Sequence, residues 1–158
     1  MELSKTFIAV GGLIVAGLVW GNNLYFHYSM ESGYRDSLKA IPSTKINKTF
    51  HDNLVGQVER KMGYPEIFFN IGLDHLNDDF FPKTLHDELE KMLCDFTQLP
   101  LGLNIENKRV MKSRLTVIEK DKVTVHLNVY NQYKEVLFKE TKVLKGCSEF
   151  QALKKKYQ

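Results

Sequence analysis

The feature that most constrains this chain is an apolar run near its N-terminus. Residues Thr6 to Trp20 read TFIAVGGLIVAGLVW, fifteen residues without a charge. A helix rises about 1.5 Å per residue and the hydrocarbon core of a bilayer is about 30 Å thick, so a span takes roughly 20 mostly apolar residues. Continued through Asn22 and Asn23 to Tyr28, the stretch reaches 23 residues. It reads as an uncleaved membrane anchor or as a secretory signal peptide. The basic flank is thin, because Glu2 offsets Lys5, and there is no A-x-A cleavage site. Trp20, Tyr25 and Tyr28 have the amphipathic rings that favour the headgroup layer. These features favour the anchor, and under either reading the rest of the chain is exported. The expected location is the inner (plasma) membrane, single-pass, with the C-terminal part periplasmic or extracellular. Gly17 and Gly21 form a GxxxG, and Gly12 with Ala16 a second small-xxx-small pair. Such spacing lets two membrane helices approach closely, so a homo-oligomer through this segment is one expected association.

The expected organisation is an anchor over 1–28, a juxtamembrane helix and connection over 29–48, and an exported domain over 49–158. Met30, Tyr34, Leu38 and Ile41 share one helical face, and Pro42 should end that helix. Residues 42–48 hold Ile46 as their one large apolar side chain and read as a connection. Phe50, Leu54, Val55, Val58 and Met62 make a helical stripe closed by Gly63. Ile67, Phe69, Ile71 and Leu73 alternate with more polar neighbours, which predicts a strand. Thr84 and Asp87 resemble a capping box opening a helix whose apolar face holds Leu85, Leu89, Met92, Leu93 and Phe96.

In the C-terminal third, Leu99, Leu101, Leu103 and Ile105 alternate, although Pro100 and Gly102 weaken a strand there. Residues 110–118 read as a strand, with Val123, Val125, Leu127 and Val129 as the inner face of the next and Glu135 to Leu144 as a third. Ser148 opens a short helix to Leu153, followed by Lys154, Lys155 and Lys156. The fold class is therefore α+β: an N-terminal transmembrane helix, then two or three helices packed on an antiparallel meander of three to five strands.

Cys94 lies about 140° around its helix from Leu89 at about 100° per residue, away from the centre of the apolar stripe. Cys147 follows the last strand. In an oxidising compartment the two should form a disulfide.

Motifs for chemistry are sparse. Asp74, His75, Asp78, Asp79, His86 and Glu90 are weak candidates for holding a metal, since neither the calcium-loop order nor HExxH is present. No metal site and no cofactor are expected. There is no GxSxG, P-loop or GxGxxG, so no catalytic residue is assigned and an enzyme is not expected. His126 falls on the outward face of its strand with Thr124, Asn128 and Tyr130.

Charge says more. Residues 1–105 carry a net −4 and residues 106–158 a net +7. Lys112, Arg114, Lys122, Lys134, Lys139 and Lys142 are the expected docking residues for an acidic protein partner. Export argues against nucleic acid. The expected function is a membrane-anchored, protein-binding or assembly component of an envelope or secretion complex. The alternatives are a membrane-tethered inhibitor or immunity protein that blocks a toxin or enzyme, and an exported domain that binds a small ligand or metal.

Overall fold

The computed structural model describes residues 25–50, 54–73, 82–97, 99–103 and 105–157. A first helix, α1, covers residues 25–39. Strands β1 (Thr44–Thr49), β2 (Val55–Gly63) and β3 (Glu66–Leu73) follow, then helices α2 (Lys83–Met92) and α3 (Lys108–Lys120). Strands β4 (Thr124–Tyr130) and β5 (Val136–Val143), a 3-10 turn at Leu144–Gly146 and helix α4 (Ser148–Tyr157) complete the order. Among the described residues the five strands form one sheet in chain order. The fold is α+β, as expected.

The sheet is mixed rather than an antiparallel meander. β3 and β4 run parallel, while the other neighbours are antiparallel. Parallel neighbours need a long crossover, and α2 and α3 supply it. The expected strand over 110–118 is accordingly α3. Asn107 caps it, its side-chain oxygen accepting from the backbone N–H groups of Arg109 and Val110. That cap satisfies two N–H groups the first turn would otherwise leave open. Met111, Leu115 and Ile118 are then buried at helical spacing.

Further expectations are corrected. Val55, Val58 and Met62 of the expected helical stripe lie in strand β2 instead, and their spacing explains the error. Leu54, Val58 and Met62 lie four apart, and four is an even number, so the same residues also share one strand face. The connection at 42–48 contains β1, paired with β2 from Thr44↔Arg60 to Thr49↔Val55. Residues 99–103 bury Leu99, Leu101 and Leu103 but form no strand, and Gly102 turns there with φ +57°. The capping box at Thr84 is not formed, because α2 opens after Pro82 without a side-chain cap. α4 runs through the three lysines to Tyr157 instead of stopping at Leu153.

The inner face of the sheet is laid down in cross-strand rows. One row runs Ile46, Val58, Ile71, Val129, Phe138, and its neighbour runs Thr44, Arg60, Phe69, Leu127, Glu140. Ile67, Ile71, Leu73, Val125, Leu127 and Val129 are fully buried against Leu89 of α2, Leu115 of α3 and Phe150 of α4. Burying such side chains contributes about 1.5–3 kcal/mol each, so β3 and β4 form the centre of stability. Leu73 and Phe50 also close over Gly56. A Cβ there would stand 2.7 Å from Leu73 Cδ2 and 3.0 Å from Phe50 Cε2.

Candidate functional site

Helix α1 is locked to the body of the domain. Tyr34 and Leu38 are buried in the core, and the Tyr34 hydroxyl donates to the Leu101 carbonyl (2.8 Å). The Arg35 guanidinium grips Asp121 in the α3–β4 turn with two bonds of 2.6 and 2.9 Å. The Tyr64 hydroxyl donates to the same carboxylate from the β2–β3 hairpin. Lys120 reaches Glu31 at 3.1 Å. Glu31 meets the C-terminal end of α3 while Tyr34 meets Arg114 further back, so α1 and α3 run in opposite senses. The exposed residues Tyr25, Phe26 and Tyr28 therefore lie on the part of α1 that extends beyond the α3–β4 turn.

Arg35 holds the Asp121 carboxyl below the ordinary carboxylate range. Burial and the bond to Asp121 push the Tyr64 phenol up. A carboxyl whose pKa is depressed on folding stabilises the fold above its unfolded value of about 3.9, and that contribution fades as pH falls through the folded value. Asp121→Asn should cost about 1–2 kcal/mol at neutral pH, the scale of hydrogen bonds to a charged group. The difference between variant and parent should shrink in urea unfolding curves taken below about pH 4.

The outer face of the sheet is polar. His126 stacks on Phe68 with ring centroids 4.7 Å apart, and its Nδ1 lies 3.1 Å from Thr141 Oγ1. Asn128 donates to Asn70 Oδ1 (3.0 Å), and Lys45 pairs with Glu59 (3.5 Å). His126 thus stands among Thr124, Asn128 and Tyr130 as the alternation predicts. A sheet with one packed and one wet face is a common antiparallel arrangement, and these contacts tie neighbouring strands together.

The inner face at the β1 edge is different. Ile46 is 58% exposed, although it heads the most apolar row of the sheet. Thr44, Ile46, Lys48, Val58, Arg60, Phe69 and Met92 enclose a cleft of about 180 Å³. Arg60 Nε is buried there with no hydrogen-bond partner. Small-molecule pockets run from about 300 to 1,000 Å³, so this cleft suits a single side chain. Among the described residues β1 is one of the two edge strands of the sheet.

The expected docking cations do not share a surface. Lys112 and Arg114 lie on α3, and Lys122 and Lys134 occupy turns with φ of +52° and +65°. Lys139 stands on the outer face of β5 beside Asn128, while Lys142 falls in the inner row beside Val125. Arg114 is a packing residue, stacked 5.0 Å over the Tyr34 ring and bonded to the Gly102 carbonyl. Of the cations on the β1–β2 hairpin, Lys48 and Arg60 fall in the inner rows, while Lys45 and Lys61 stand on the outer face, where Lys45 pairs with Glu59. Summing charge over residues 1–105 hid them, because that span also holds the acidic stretch 74–90. A window the size of one hairpin reveals them.

Cys94 and Cys147 form the expected disulfide, with Cα atoms 5.6 Å apart. It fastens the end of α2 to the start of α4. Among the weak metal candidates, Asp74, His75, Asp78 and Asp79 lie outside the described residues. His86 packs edge-on against Phe138 with ring centroids 4.8 Å apart. Glu90 lines a separate cleft of about 350 Å³ between α2, β5 and α4. Among the described residues no group of His, Cys, Asp or Glu is placed to hold a metal ion. Gly12, Ala16, Gly17 and Gly21 also lie outside the described residues. Among the described residues no helix is long and apolar enough to cross a membrane.

No protein-family model matches this chain, and no curated protein or solved structure matches it.

Proposed function

We propose that this chain is a membrane-held, exported domain that docks a partner protein as part of an envelope assembly. The observation that carries this reading is the fixing of α1. A helix that follows an uncharged apolar run in the sequence is tied to the body of the domain by Arg35, Tyr64, Asp121, Glu31 and Lys120. An anchor on a floppy linker restricts only distance, whereas an anchor on a clamped helix also restricts orientation. The aromatic residues at the start of α1 fit the headgroup layer that such an anchor would reach. Tyr25 is 74% exposed and Tyr28 72%, so neither ring contributes to the core of the domain. The disulfide is in keeping with an oxidising compartment outside the cytosol.

Cross-linking in intact cells, followed by purification from solubilised membranes, tests the proposal. The expected result is recovery of the chain in fixed stoichiometry with one or more membrane proteins. Recovery as an equimolar pair with one soluble enzyme would make it a tethered inhibitor instead. Recovery alone, at native expression, would contradict both.

A further inference from the structure

We infer that the β1 edge accepts an extended, acidic segment of a partner protein as an added strand, with a partner carboxylate on Arg60 and one apolar partner side chain in the cleft beside Ile46. This inference deepens the proposed docking function and rests on it. An edge strand presents unpaired backbone N–H and C=O groups along one side, which is a template for another strand. Strand addition draws affinity from those groups and specificity from pockets for alternate side chains.

Three observations select β1. First, the other edge is occupied on its inner side: Phe138 of β5 packs on His86 of α2, and Glu140 and Lys142 face the α2–α4 cleft. Among the described helix residues, Met92 at the end of α2 is the one that lines the corresponding region beside β1. Second, Ile46 and Arg60 sit in adjacent inner rows, so an apolar pocket and a cation are offered one strand step apart. Third, Arg60 carries a buried Nε without a hydrogen-bond partner, and no carboxylate among the described residues pairs with its guanidinium. A guanidinium presents a planar fork that matches a carboxylate with two parallel bonds. A partner's carboxylate supplies what the described residues leave out.

The sign of the occupant follows from the strand itself. β1 carries Lys45 and Lys48 and no acidic residue. A second copy of β1 would bring the same two lysines to the edge, and like charges on paired strands are destabilising. An acidic segment removes that repulsion.

The experiment uses the full-length chain, purified in detergent micelles, as bait for a displayed library of random octapeptides. Counter-selection is made on Arg60→Gln. Enriched peptides should alternate acidic and apolar residues. Their synthetic versions should bind Arg60→Gln at least tenfold more weakly than the parent and bind Lys134→Gln equally well. N-methylation of one alternate set of peptide amides should abolish binding, and methylation of the other set should not. Amide NMR shifts should change at residues 44–49. Circular dichroism of Arg60→Gln confirms that the variant is folded.

The inference is overturned if nothing enriches over the counter-selection, if the enriched peptides lack acidic residues, or if both methylation patterns are tolerated. A footprint on β5 or on the helices overturns it too. Membrane attachment does not enter this measurement. A chain that proves soluble in the cell yet passes keeps the edge and loses the anchor.

Discussion

Removing the Cys94–Cys147 bridge by Cys147→Ser should lower the free energy of unfolding by about 2–4 kcal/mol. The bridge closes a loop with a sequence separation of 53 residues. In the chain-entropy model such a loop removes about 4 kcal/mol of freedom from the unfolded ensemble. The loss should be felt unevenly. Cys147 is 1% exposed and precedes α4, whose Phe150 is fully buried. Once the bridge is gone, α4 is held by Phe150, by Lys154 on Glu119 at 2.7 Å and by partly buried Leu153 and Tyr157. Hydrogen exchange should therefore quicken first in residues 148–157, and urea unfolding should shift to a lower midpoint. An unchanged midpoint, or a Cys94 thiol that labels freely in the untreated parent protein, would count against the bridge.

A larger effect is expected at Val125. It is fully buried in β4, opposite Ile67 on β3 and beside Lys142 of β5. Val125→Asp places a carboxylate at a fully buried position facing the equally buried Ile67. It would have to remain charged in an apolar setting or take up a proton, and both cost free energy. The expected loss exceeds about 4 kcal/mol, a large share of the roughly 5–15 kcal/mol that holds an ordinary domain together. Circular dichroism should show an unfolded or molten chain. Val143→Asp is the control, because Val143 is 37% exposed on the edge strand. It should stay within about 1 kcal/mol of the parent. Similar losses at both positions would mean that β4 is not the centre of the sheet.

How much of this was legible in the sequence depends on where each element buries its side chains. β3 and β4 alternate cleanly, and their inner residues are read directly from the pattern. The face of α2 is legible for the same reason, whereas the pairing of the two cysteines follows from the expected export of the chain to an oxidising compartment. β1 is hidden because an edge strand gains its stability from the ladder to its neighbour, so Ile46 alone marks its inner face. β2 is disguised by apolar residues at intervals of four. α3 is disguised by its β-branched residues Val110, Thr116, Val117 and Ile118, and Asn107 was the signal that would have corrected it. The mixed topology follows from that one misassignment, since a helix at 108–120 forces a crossover. The exposure of Ile46 at the inner face depends on where α2 ends and is not written in any single segment.

Under the proposed function the chain is exported and still attached to the membrane. The most direct measurement combines alkaline carbonate extraction with external protease on spheroplasts and mass spectrometry of the N-terminus. The predicted result is a chain that pellets with membranes at full length and loses everything beyond about Tyr28 to the protease. A mature N-terminus near Asn22 in the soluble fraction, or a chain shielded from external protease until the membrane is dissolved, would contradict it.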